Sequence, residues 1–258
     1  MTRASGYRVI IPAAGRSLRL SHLTREQPKS LLMVEDKPIL GHSLSILSRR
    51  GFTRLTLVVG YRRQQIESAF GDRYENIDIS YVENPLYAES EHGWSLYCAQ
   101  QDWAARPGPV VFMDADNLYD PEMIDRMMDC AYEDVMLVDE GLRPDDRDDE
   151  LVLGEAGVVS GLKRGRAADY PDFAGGFVGI NRFSAGFMAA LFQFMHDFFA
   201  GKGKMHKYER VFDAFIRETG ARVHYLETKG LHWVNVNREA DYELAKRIAR
   251  KMLSDAAP

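Results

Sequence analysis

Short apolar, β-branched runs alternate with segments of helical period through the first half of this chain. Val9–Ile11, Leu55–Val59, Ile77–Val82, Pro109–Met113 and Asp134–Val138 have the length and composition of buried strands. Between them, Ile39–Arg50, Arg63–Phe70, Ser95–Trp103 and Pro121–Met128 read as helices. In the first helix Ile39, Leu40, Leu44, Ile46 and Leu47 form a rough apolar face, and Gly51 suits the C-terminal cap. Alternation at this pitch predicts an α/β chain with a mainly parallel sheet covered by helices on both faces.

The rhythm changes after Val138. Arg143–Glu150 reads as a charge-rich loop, Glu155–Lys163 as a hairpin turning near Gly157, and Phe177–Ile180 as a strand returning to the sheet. A long apolar helix over Phe183–Phe199 follows, then a mobile basic loop, Gly201–Lys207. Glu209–Glu218 reads as a helix, Val223–Leu226 as a strand and Arg238–Leu253 as the closing helix. No linker divides the chain. The expectation is one domain over 1–258, with a core of about 7–138 and 174–253 and an insertion of about 139–173.

The apolar share of 45% suits a chain with a real core, and a net charge of −5 argues against a nucleic-acid surface. Cys98 and Cys130 lack any CxxC spacing, so two buried thiols in a reducing cytosol are expected. Met1–Gly6 is too short and polar for a signal peptide, and no apolar run approaches membrane-spanning length. These features predict a cytoplasmic protein without membrane insertion.

Two places carry chemistry. The opening strand runs into Ala13-Ala14-Gly15, a turn small enough for a ligand to approach the backbone, and Gly15 suits positive φ. Arg16, Arg19, Arg25 and Lys29 follow. Exposed N–H groups beside fixed cations are what a polyphosphate needs, although a βα turn with solvated basic residues has the same composition. The fourth strand ends in Asp114-Ala115-Asp116-Asn117, which places two carboxylates at the carboxyl edge of the sheet, where open α/β sheets bind ligands. Hard oxygen ligands there suit Mg²⁺. A capping turn for the next helix, through Asn117 or Asp120, is the plainer alternative.

The spacing of these blocks resembles a known family. Ala13-Ala14-Gly15, Arg19, Pro28-Lys29-Ser30-Leu31 and Lys37-Pro38-Ile39-Leu40 match, in order, the signature of MobA-like, sugar-nucleotide-type nucleotidyltransferases. Ser17 and Leu18 replace that signature's second glycine and small hydroxyl residue. Asn84, Tyr87, Ala88, Ser95 and Leu96 resemble the corresponding segment of phosphocholine cytidylyltransferases, with Glu91 and His92 where two asparagines are usual. The nearest branch is that of the phosphocholine and 2-aminoethylphosphonate cytidylyltransferases.

The resemblance implies a Rossmann-like, GT-A-like mixed sheet, with the insertion on the acceptor side. It implies catalytic roles for Lys29, Arg19 and Asp116, and nucleotide contacts from Ala13, Ala14, Gly15, Arg16, His92, Ser95 and Asp114. Mg²⁺ would sit on Asp116 with help from Asn237. The family's acidic pair near the C-terminus is replaced here by Asn235 and Asn237, and Asn237 equally suits a cap for the last helix. Lys163, Tyr87, Trp94 and Tyr170 are acceptor candidates, each as readily explained by packing or solvation. The implied partners are CTP or another NTP and a small phosphorylated or phosphonate acceptor, with room for a homodimer. The implied reaction is CMP transfer with release of pyrophosphate. A sugar-1-phosphate nucleotidyltransferase using UTP, GTP or CTP is the first alternative. A non-catalytic nucleotide-binding protein, favoured by Ser17, Leu18, Asn235 and Asn237, is the second.

Overall fold

The computed structural model describes residues 3–141 and 149–255. In its first half β1 (Arg8–Pro12), β2 (Arg54–Val59), β3 (Ile77–Glu83) and β4 (Val110–Met113) lie in the order β3-β2-β1-β4, all parallel. The crossovers are α1 (Ile39–Arg49), α2 (Arg63–Phe70) and the consecutive helices α3 (His92–Cys98) and α4 (Gln100–Ala105). The helix expected at Ser95–Trp103 therefore starts three residues earlier and breaks at Ala99, so His92 joins Ser95 on the helix.

β4 is followed by the short β5 (Asn117–Tyr119), by α5 (Glu122–Asp129) and by β6 (Val135–Asp139). The hairpin expected near Gly157 is longer than its pattern suggested. β7 (Asp149–Glu155) and β8 (Val158–Gly165) are joined through Ala156 and Gly157, whose φ of 51° and 80° give the two left-handed residues of a tight hairpin. Of the expected charge-rich loop, residues 143–148 lie outside the described residues, while Asp149 and Glu150 already belong to β7. β9 (Phe173–Phe183) is the long strand that closes the sheet, running antiparallel to β4, β6 and β7. Among the described residues the main sheet reads β7-β8-β10-β6-β9-β4-β1-β2-β3, where β10 is His224–Glu227 and Arg73–Tyr74 pairs beyond β3. The sheet is mixed: parallel through β4, largely antiparallel beyond it.

Side chains of a strand alternate between faces, and each face here has its own core. Val9, Ile11, Val111 and Met113 face α1, α2 and α5; Ile10, Val110 and Phe112 face α3, α4, α6 (Ala185–Lys202) and α7 (Tyr208–Thr219). A third cluster joins Leu20, Leu32, Val34 and Leu118 to Val234, Val236, Ala245 and Ile248. It ties β11 (Trp233–Asn235) and α8 (Glu239–Asp255) to the opening loop. This small core carries Asn235 and Asn237 to the sheet edge.

Gly201–Lys207 differs from expectation. α6 continues to Lys202, and Gly203, at φ 79°, turns the chain back. The remainder is pinned: Lys204 O accepts from Glu91 N at 3.1 Å, the Lys204 ammonium lies 4.6 Å from the Trp94 ring centroid, and Lys207 pairs with Glu150 at 2.9 Å. A Cβ on Gly93 would run into the His206 carbonyl, so only glycine permits this approach. Cys98 and Cys130 are free and half-buried rather than buried. Among the described residues, no helix is long and apolar enough to cross a membrane.

Candidate active site

The opening loop is held by its backbone. Ala13 N donates to Val58 O at 2.7 Å and Tyr61 N to Ala14 O at 3.0 Å, which docks the turn on the end of β2. The left-handed residue is Ser17, at φ 52°, and not Gly15. Serine there costs about 1–2 kcal/mol relative to a relaxed backbone. Thr24 Oγ1 donates to Ser17 O at 3.0 Å and helps hold that conformation. Ser17 occupies the position of the second glycine in the resembled signature, and it takes a backbone conformation that glycine adopts readily. A Cβ on Gly15 would meet nothing within 4 Å, which leaves open space beside the turn. The Arg16 guanidinium lies 5.5 Å from the Tyr87 ring centroid, on this side of the site.

Next to the loop is a cluster of opposite charges. Lys29 Nζ pairs with Asp116 Oδ2 and donates to Asn237 Oδ1 at 3.1 Å. Arg19 Nη2 donates to the same amide oxygen at 2.6 Å. Asn235 Nδ2 donates to Asp116 Oδ1 at 3.0 Å and lies 3.5 Å from Asp114 Oδ2, while Asn237 Nδ2 donates to Asn235 Oδ1. Six residues from three distant stretches of chain thus meet at the carboxyl ends of β1 and β4. Of the capping alternatives, Asp120 takes the one before the helix that follows β5, while Asp241 takes the one offered to Asn237. Asp120 Oδ1 accepts from Glu122 N at 3.0 Å, and Asp241 Oδ2 accepts from Asn237 N at 2.9 Å and Arg238 N at 2.7 Å. The side chains of Asp116 and Asn237 are thereby left to the cluster.

Asp114 sits deeper. Tyr208 OH donates to its Oδ1 at 2.7 Å, and its backbone N–H donates to Gly179 O at 3.0 Å. Burial, then repulsion from Asp116 and Glu209, holds the Asp114 carboxyl well above the usual carboxylate range. Gly179 lies at φ 77°, and a Cβ there would collide with the Asp114 carboxylate.

His92 and Ser95 lie on the first turns of α3. Ser95 Oγ accepts from Asn84 Nδ2 at 3.0 Å, and Asn84 Oδ1 accepts from Leu86 N, so Asn84 organises the turn that precedes the helix. The His92 ring meets Tyr208 edge-on at 4.5 Å, and its Nε2 is 3.6 Å from Glu209 Oε2. Burial pushes the His92 imidazole below its usual range. Burial, then repulsion from Glu150, pushes the Glu209 carboxyl up to about 8, so it carries its proton at neutral pH.

Each acceptor candidate has a pairing or packing partner of its own. Lys163 pairs with buried Asp213 at 2.9 Å, and Asp213 also accepts from Leu162 N and Arg210. Tyr170 packs its ring against Gly165 at the base of the hairpin. Trp94 packs between Tyr97 and Phe199 in the helical layer, and Tyr87 lies under Arg16 at the opening loop. Tyr208, Glu209 and Gly179 were not singled out from the sequence. A glutamate in the first turn of an otherwise amphipathic helix, at a position facing the core, was the available signal for Glu209.

Among the described residues, no group of three or more His, Cys, Asp or Glu side chains is placed to hold a metal. The donor set here is two carboxylates and two amide oxygens, all hard ligands. That set fits Mg²⁺, which keeps several waters and shares its shell with substrate phosphates.

The fold is shared with solved proteins. Solved CTP:phosphocholine cytidylyltransferase from Streptococcus pneumoniae superposes with a TM-score of 0.72 at 21% identity, covering 94% of this chain and 99% of that one. The 2-aminoethylphosphonate cytidylyltransferase of Lancefieldella rimae is 26% identical over 226 residues, 85% of each sequence. The UTP–glucose-1-phosphate uridylyltransferase of Haloferax volcanii is 37% identical over 73 residues, 28% of this chain and 30% of that protein. The chain spans less than half the length of the first curated relatives it matches. The pattern of the MobA-like NTP transferase domain matches residues 9–170, a stretch that holds the small-residue turn, Lys29 and both strand-end aspartates, and this chain belongs to that family.

Proposed function

We propose that this chain is a cytoplasmic cytidylyltransferase that transfers CMP from CTP to a small phosphorylated or phosphonate acceptor and releases pyrophosphate. The observation that carries the reading is the meeting of Lys29, Arg19, Asp116 and Asn237 beside the open Ala13–Gly15 turn. Likeness to the 2-aminoethylphosphonate enzyme over 85% of both chains supports the cytidylyl branch. The β3-β2-β1-β4 order of parallel strands supports a Rossmann-like, GT-A-like frame. We read the chain as one domain whose insertion of about 139–173 faces the acceptor.

In this mechanism an acceptor oxygen attacks the α-phosphorus of CTP and pyrophosphate leaves in line. Both reactants are anionic, so the protein's task is alignment and charge stabilisation. Lys29 turns from Asp116 to the α-phosphate and acceptor. Arg19, with the Ala14 and Gly15 amides, holds the β- and γ-phosphates. His92 and Ser95 border the base. Asp116 and Asn237 would hold Mg²⁺, with Asp114 behind them; when bound, the ion stabilises charge on the transferring phosphoryl group. No general base is needed, because a phosphate or phosphonate oxygen is largely ionised near neutral pH.

A second reading, a sugar-1-phosphate nucleotidyltransferase, draws on the uridylyltransferase match through the opening region. Pyrophosphate release measured for CTP, UTP, GTP and ATP against phosphocholine, 2-aminoethylphosphonate and glucose 1-phosphate separates the two. The expected result is turnover with CTP and an amino-phosphonate or amino-alcohol phosphate. Preference for a sugar phosphate would give the second reading, and nucleotide binding without turnover in any pair would make the chain a non-catalytic binding protein.

A further inference from the structure

Lys29 holds side-chain oxygens that the proposed site would offer a metal. Its ammonium takes one oxygen of Asp116 and donates to Asn237 Oδ1 at 3.1 Å. Arg19 donates to that same amide oxygen at 2.6 Å, and Asn235 donates to the other Asp116 oxygen at 3.0 Å. Both oxygens of the carboxylate and the amide oxygen of Asn237 are therefore already engaged by donors of this chain. The Lys29 and Asp116 side chains are only 11% and 18% exposed, so solvent and salt screen their attraction less than they would at the surface. The two asparagines matter as much as the lysine. An acid at 235 or 237 would add a negative charge to the cluster; the amides add none, so Asp116 is the carboxylate that Lys29 pairs with and Asn235 and Asn237 bring no second one.

We infer that Lys29 competes with the divalent cation for Asp116, and that the site takes its metal only once a polyphosphate has drawn Lys29 away. The inference rests on reading this cluster as the metal end of the nucleotide site. It makes Lys29 a placeholder in the free protein and a phosphate ligand in the loaded one. Metal loading then depends on nucleotide binding, and a cation at cellular concentration does not occupy the empty site. A divalent ion approaching the free protein must break the ion pair first, whereas a triphosphate offers Lys29 a new partner and adds its own oxygens to the metal shell.

The test is titration of the nucleotide-free, full-length chain with Mn²⁺, following free Mn²⁺ by electron paramagnetic resonance. Wild type, Lys29→Met and Asn237→Asp are compared. Lys29→Met is expected to bind one Mn²⁺ at least tenfold more tightly than wild type, because Asp116 is freed and a positive charge removed. Asn237→Asp, which keeps Lys29 and so reports even if the first variant misfolds, is expected to tighten binding at least threefold. Wild type binding as tightly as both variants, or no Mn²⁺ binding to any of the three, overturns the inference. Pyrophosphate release by wild type is assayed in parallel. Turnover with unchanged affinities sinks this inference alone; the expected affinities without turnover sink the proposed reaction alone.

Discussion

Lys29→Ala lowers turnover about 10³-fold or more while the thermal midpoint stays within a few degrees of wild type. The size follows from what the residue would do. A positioned donor to charge that develops in the transition state contributes about 10²–10³ in rate, and a cation aimed at a transferring phosphoryl group contributes 10³ or more. The small structural effect follows from the local fold. Lys29 begins a 3-10 turn between Pro28 and Leu32, and its backbone is held by hydrogen bonds that do not involve the side chain. Asp116 keeps its bond from Asn235 when the ammonium is lost. The loss should appear in kcat more than in KM for CTP, since Arg19 and the loop amides remain. Steady-state pyrophosphate release with a parallel melting curve checks both halves. Turnover within tenfold of wild type would remove Lys29 from the reaction.

Arg182→Met destabilises the chain by about 3 kcal/mol, a fall in midpoint of roughly 6–12 °C for a chain of this size. Arg182 is 2% exposed and no carboxylate pairs with it among the described residues. Instead its guanidinium donates to the carbonyls of Met128, Cys130, Tyr132 and Glu133. These carbonyls lie at and just beyond the C-terminus of α5, where a cation interacts favourably with the helix dipole. The planar fork of five N–H groups suits several carbonyls at once. Methionine fills the volume but takes the donor from the buried Met128 carbonyl, at about 1–3 kcal/mol, and from the part-buried carbonyls of Cys130, Tyr132 and Glu133, which water can partly serve. Arg182→Lys should recover part of the loss, since one ammonium cannot reach all four. Thermal unfolding of the three proteins decides it; equal midpoints would mean that water replaces the guanidinium.

The parallel half of the sheet was readable because each strand is a buried apolar run with a helix on either side. Val9–Ile11 and Leu55–Val59 have no comparable alternative. The antiparallel half was less readable. β9 spans Phe173–Phe183, but its polar and glycine-rich stretch breaks the pattern, and only Phe177–Ile180 carries a strand signal. The polar members of that strand have jobs that composition does not reveal: Arg182 caps a helix, and Gly179 makes room for Asp114. At the candidate site, the opening turn, Lys29 and Asp116 could be singled out because each motif's spacing is local. What joins them is not local. Asn235 and Asn237 lie more than a hundred residues from Asp116, and the third core places them. The acceptor candidates were chosen by residue type, and type does not reveal a partner such as the buried Asp213 that pairs with Lys163. Left-handed φ at Ser17 rather than Gly15 has the same lesson, since position in the turn outweighed intrinsic preference.

The most direct test is a crystal structure of the chain with CTP and Mg²⁺. The account predicts the triphosphate along Ala13–Gly15, the Lys29 ammonium turned from Asp116 to the α-phosphate, and the ion on Asp116. A cytidine bound elsewhere on the molecule, with the Lys29–Asp116 pair intact, would contradict it.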